Sequence, residues 1–129
     1  MKSNIKSKVL FVLALLFGLL FINAGFDKFF HYMPMPKELP EKMMKAFNAF
    51  TEIGWLMPLV GIAEIVGGFL IIIPRTRALG ALIIFPVFVG IILTNIVQDK
   101  SGLPIVFVLS AILFWIIYEN KEKYLPIVK

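Results

Sequence analysis

A chain of 129 residues that is 60% hydrophobic and only 16% charged has too little polar surface to coat a soluble core, since soluble domains carry about 45–50% apolar and about 25% charged residues. The net charge is +5, but the basic residues flank apolar runs as topology signals do, so no nucleic-acid partner is expected. The absence of cysteine excludes disulfides, thiolate metal sites and thiol-disulfide chemistry run by this chain alone, and the length allows one domain, residues 1–129.

The first apolar segment covers residues 9–26 and follows Lys2, Lys6 and Lys8. This opening also has the outline of a signal peptide, with Ile22-Asn23-Ala24 as a tolerable cleavage site. Four uncleaved spans account for the charges without that processing, and segment one is read as retained. The loop at 27–54 opens with Met33-Pro34-Met35-Pro36, which favours extended backbone. From Pro40 a helix is expected, with Met43, Ala46, Phe47 and Phe50 on one face and Lys42, Lys45 and Glu52 largely opposite. That pattern suits an amphipathic helix lying on the headgroups or over the mouth of a bundle.

Segment two covers 55–73 and is interrupted only by Glu64; segment three covers 78–97 and contains Pro86. Segment four covers 103–118, with Pro104 suited to its first turn and Trp115 and Tyr118 to a membrane interface. Roughly 20 helical residues span the hydrocarbon core, and none of these runs alternates as barrel strands do. The expected fold is therefore all-α: a four-transmembrane-helix bundle with an amphipathic helix in the first extracytoplasmic loop.

Eight basic residues fall on one face (Lys2, Lys6, Lys8, Arg75, Arg77, Lys121, Lys123 and Lys129), against five on the other (Lys28, Lys37, Lys42, Lys45 and Lys100). The second face also carries Asp27, Glu38, Glu41, Glu52 and Asp99. By the positive-inside rule both termini are expected in the cytoplasm, with the protein a multi-pass component of a bacterial inner membrane.

Glu64 is the most informative residue. An acid near mid-membrane costs a few kcal/mol on insertion scales, about 2.5–3.5, so it should face protein or water. Gly61, Gly67 and Gly68 lie three or four residues away on the same helical stripe and would let another helix approach. Glu64 reads either as a proton-handling or ligand-binding carboxyl, or as interhelical hydrogen-bond glue. Asn23, Asp27 and His31 recur every four residues on one face, beside Lys28, and Thr94, Asn95 and Gln98 end segment three. These residues could line an outward-opening cavity with Glu64 at its floor, or be ordinary interface residues at helix ends. Pro86 should kink segment three, with Gly80 and Gly90 as further close-packing points.

Other chemistries find less support. His31, Met33 and Met35 have a spacing that suits Cu(I) on extended backbone, but methionine is also common in apolar loops, and no metal site is assigned. One histidine without cysteine cannot supply a bis-histidine haem or a zinc site. Gly67-Gly68 lies inside a span, so it is no phosphate loop, and no serine–histidine–acid constellation is evident.

The run from 20 to 36, with Ala24-Gly25, Lys28 and the aromatic and Met-Pro stretch, resembles the DoxX and DoxX-like family of small bacterial membrane proteins. So do Met57-Pro58-Leu59-Val60, Glu64, Gly67-Gly68, the Arg75 to Arg77 turn and Pro86. The resemblance implies a four-helix membrane bundle and a link to quinone-reducing or oxidative-stress complexes. The Asn and His that such relatives carry late in segment three are replaced by Gly90 and Asn95.

The leading expectation is an accessory subunit of a membrane redox complex, without a catalytic constellation of its own. It would bind a small lipophilic ligand, a quinone among the candidates, through Glu64, Asn23, Lys28 and Asn95, while no cofactor is assigned. Membrane lipid, a membrane-protein partner or a second copy are its expected contacts. The alternatives are an assembly partner that docks a foreign helix on the Gly61, Glu64 and Gly68 stripe, and a small proton-coupled transporter.

Overall fold

A computed structural model describes residues 2–30, 32, 40–98 and 100–128. All regular structure among them is helical: α1 (Lys2–Phe30), α2 (Glu41–Ile53), α3 (Leu56–Ile72), α4 (Arg77–Val97), α5 (Leu103–Glu119) and α6 (Lys121–Val128), with 3-10 turns at Pro74–Thr76 and Lys100–Gly102. His31, Met33, Pro34, Met35, Pro36, Lys37, Glu38, Asp99 and Lys129 lie outside the described residues.

Three stretches are long and apolar enough to cross a membrane: Ile5–Phe30, Pro74–Val97 and Lys100–Glu119. A fourth would be the pair α2 and α3, bent by 93° at their junction. α3 alone has 17 residues, about 25 Å at the helical rise of about 1.5 Å per residue, so the expected count of four is reached only if α3 or the bent pair is a span. Helices are the natural outcome of these runs, because a backbone in lipid must satisfy its own hydrogen bonds. Leu16, Leu59, Leu79 and Phe107 are all more than half exposed, and an apolar outer surface of this kind is what lipid covers.

α3 packs against both α1 and α4. Backbones set the α1 contact. A Cβ on Gly68 would lie 2.7 Å from the Gly18 carbonyl oxygen, and one on Gly25 would lie 2.6 Å from that of Gly61. Gly18 faces Gly68 and Gly25 faces Gly61, so the two helices run antiparallel in register, a small-residue contact typical of membrane helices. At the α4 contact a Cβ on Gly80 would meet the Gly67 carbonyl oxygen at 2.7 Å. The core is aromatic where α1 meets α4: the Phe17 ring lies 4.7 Å from Phe21 and 6.4 Å from Phe88. Ile71, Ile84, Leu113 and Ile116 close it.

Arg77 is not merely a loop charge. It is only 6% exposed, and its Nε donates to the Ile71 carbonyl at 2.8 Å while Nη2 reaches that of Ile72 at 3.4 Å. It thereby satisfies carbonyls that the end of α3 leaves without intrahelical partners. At the same end of the bundle Lys6 pairs with Glu119 at 2.8 Å, and the Tyr124 hydroxyl donates to the Ala78 carbonyl at 2.8 Å. That last bond holds α6, a helix the charged tail did not announce.

The amphipathic helix expected from Pro40 is α2. Met43, Ala46, Phe47 and Phe50 are its half-buried residues, and Lys42, Lys45 and Glu52 are exposed. Gly54 ends it with φ +83°, a positive φ open to glycine because it has no Cβ, and the chain turns there into α3.

Candidate functional site

Glu64 points into the bundle from the middle of α3 and is 2% exposed. Its partner comes from the last turns of α1: Lys28 Nζ stands 2.5 Å from Glu64 Oε1. The contact is close but poorly directed, because buried Oε1 has no hydrogen bond of good geometry among the described residues. Gly61, one turn before Glu64, allows the pair to form. A Cβ there would lie 3.4 Å from Lys28 Cβ and 3.2 Å from the Gly25 carbonyl oxygen, so the lysine stem runs over the space a side chain would occupy. Desolvating two charges costs several kcal/mol per ion, and only close pairing and further polar contacts offset this.

The pair lines a cavity of about 470 Å³ between the N-terminal half of α3 and the C-terminal half of α4. Met57 and Val60 of α3 form one wall, and Pro86, Gly90, Ile91 and Asn95 of α4 the other. Met43, Phe47 and Phe50 of α2 complete the lining. A mostly apolar cleft with a few convergent polar groups is the usual form of a small-molecule site, and its volume falls in the usual range of about 300–1,000 Å³. A second cavity, of about 420 Å³, lies at the opposite end among Lys6, Glu119, Lys121 and Lys123. Its walls are largely exposed charged residues without a buried polar group.

The sequence-derived site residues divide. Glu64, Lys28 and Asn95 line one cavity. Asn23 does not: it is exposed, and its backbone carbonyl accepts a 2.8 Å hydrogen bond from the Tyr32 hydroxyl, which also contacts its side-chain oxygen. The reason is helical geometry, because Ile22 and Gly25 are the buried residues of that turn and Asn23 projects away from them. Asn95 lines the wall, but its amide donates to the Ile91 carbonyl at 2.8 Å, and its Oδ1 faces Gly102, where a Cβ would lie only 2.2 Å away. Thr94 likewise donates to the Gly90 carbonyl at 2.8 Å. The polar atoms facing the cavity without such backbone bonds are therefore those of Lys28 and Glu64.

The glycines also divide. Gly61 and Gly68 meet α1 and Gly67 meets Ile84 of α4. The stripe considered as a dock for a foreign helix is thus occupied by the chain's own helices. Gly90 is no close-packing point: a Cβ there would have nothing within 4 Å. Among the described residues no group of three or more His, Cys, Asp or Glu could hold a metal ion. The partnership of Lys28 with Glu64 is not announced by either residue alone. Its signal was the matched spacing of Gly18 and Gly25 with Gly61 and Gly68, which sets the register of α1 on α3.

Residues 6–105 match the model of the family described as "Methylamine utilisation protein MauE", and the chain belongs to that family. The match takes in α1 to α4, with Lys28, Glu64 and the whole cavity wall. It overturns the resemblance to DoxX-like proteins. The residues that suggested it (intramembrane glycines, one acid, a helical proline and a basic turn) are general devices of helix packing and topology, which unrelated membrane bundles share. A Bacillus subtilis (strain 168) protein described as "Uncharacterized protein YwoB" is 40% identical over 73 residues, covering 53% of this chain and 44% of that protein. The aligned region is thus less than half of that relative's length. No solved structure matches.

Proposed function

We propose that this membrane protein binds a small lipophilic molecule with a polar end in the cavity between α3 and α4, and serves a membrane redox system as an accessory subunit. The observation that carries the reading is the buried Lys28 and Glu64 pair lining an otherwise apolar cavity of about 470 Å³. An ammonium donates and a carboxylate accepts, so a quinone's carbonyls can accept from Lys28 and the hydroxyls of its reduced, quinol form can donate to Glu64. The family's description supports a place in methylamine utilisation or a comparable oxidative system, in which this chain would supply binding and a partner subunit the redox centre.

In this reading α3 is a span of its own, giving four, and α2 lies at the outer surface. Lys6, Lys8, Arg75, Lys121 and Lys123 then mark the cytoplasmic side of a bacterial inner membrane. Native mass spectrometry of protein released from mild detergent tests the binding. The wild type should carry a small-molecule adduct that Glu64→Gln has lost while keeping its helical circular dichroism. Bare masses for both proteins would sink the reading.

A further inference from the structure

The cavity has an opening that packing does not explain. α3 and α4 are pinched together at Gly80, where a Cβ would lie 2.6 Å from the Ile71 nitrogen and 2.7 Å from the Gly67 carbonyl oxygen. Further along α4 a cavity is lined by both helices, and at Gly90 a Cβ would meet nothing within 4 Å. Glycine is a poor helix former, and here no approaching backbone calls for it. Gly90 is at once a wall residue of the cavity and exposed, as is Pro86 one turn earlier. The exposed side chains around that spot are Phe85, Val89 and Leu93. The gap therefore gives onto an apolar surface, the part of the molecule that lipid covers.

The geometry points to Gly90 as a lateral window through which the ligand reaches the cavity from the bilayer, its polar head on Lys28 and Glu64 and its apolar chain passing out over Gly90 into lipid. The ligand class this selects is a polar-headed molecule with a long apolar chain, held in the membrane and not taken up from water. The inference rests on the binding reading above and deepens it. Two features support it: the partly unsatisfied buried carboxylate marks where the head sits, and the exposed side chains that neighbour Gly90 on α4, Phe85, Val89 and Leu93, are all apolar.

Decylubiquinone and its tail-less counterpart, 2,3-dimethoxy-5-methyl-1,4-benzoquinone, are suitable probes. Equilibrium binding to the protein in lipid nanodiscs would be measured for wild type, Gly90→Phe, Gly90→Leu and Glu64→Gln. A side chain at position 90 should weaken decylubiquinone by about tenfold or more and the tail-less ring far less, whereas Glu64→Gln weakens both. Gly90→Leu gives the same comparison should Gly90→Phe lose its helical circular dichroism. Decylubiquinone binding that survives both substitutions, or equal loss of both probes, would overturn the window and leave the Glu64 site standing. Wild-type protein that binds neither probe would overturn the quinone reading of the site and the window with it.

Discussion

Lys28 reaches Glu64, at 2.5 Å, across the gap left by the missing side chain of Gly61. A Cβ on Gly61 would come within 3.0 Å of the Phe29 ring and 3.2 Å of the Gly25 carbonyl oxygen, so α1 sits against α3 at backbone distance. Gly61→Leu is therefore expected to push the helices apart and separate the ion pair. Overpacking of this kind costs about 1–3 kcal/mol, to which the separated charges add. Thermal unfolding in detergent, followed by circular dichroism, should show a lowered midpoint. An unchanged midpoint would mean that α1 does not depend on this contact.

The pair itself should behave as a unit. Removing one partner of a buried ion pair costs about 3–5 kcal/mol, because the other charge is left without compensation. Glu64→Leu and Lys28→Met are each expected to destabilise strongly, and the double variant should recover most of that loss. Ligand binding should not recover, since both polar groups are gone. A double variant whose destabilisation equals the sum of the two single ones would show that the charges are not coupled.

The two arginines of the turn between α3 and α4 are expected to differ, although they read alike as topology signals. Arg77 donates to the Ile71 carbonyl at 2.8 Å and is buried; Arg75 is exposed. Arg77→Ala should lower stability by about 1.5–3 kcal/mol, the usual worth of a hydrogen bond to a charged group, whereas Arg75→Ala should stay within about 0.5 kcal/mol. Denaturant titration of both variants measures the difference. Equal effects would remove Arg77 from its capping role.

These contrasts mark where the amino-acid sequence is informative. The helices are legible because long apolar runs without alternation have one structural solution in lipid. The inner face of α2 is legible because Met43, Ala46, Phe47 and Phe50 recur at helical spacing, and that face is the half-buried one. Glu64 is legible because an acid inside an apolar run is costly unless it turns inward. Relations between helices are not local. The same residue type packs tightly at Gly80 and borders open space at Gly90, and only the placement of the neighbouring helices distinguishes them. Asn23 and Lys28 lie on one helix near one end, yet the rotation of α1 on α3 sends one outward and the other to Glu64.

The span count follows from whether the two ends of the chain lie on the same side of the membrane. If α3 crosses alone, α2 and α6 lie on opposite sides; if the membrane is crossed only three times, the chain's two ends part company. The chain has no cysteine, so single cysteines report cleanly. Asn48→Cys lies on the exposed face of α2 and Lys123→Cys on the exposed face of α6. In intact cells a membrane-impermeant maleimide should label Asn48→Cys at once and Lys123→Cys only after permeabilisation. A single cysteine at Ser7, on the exposed start of α1, should behave like the one at Lys123. Labelling of Ser7→Cys and Lys123→Cys from opposite sides would leave an odd number of crossings, and α3 would then have to be a re-entrant segment under α2.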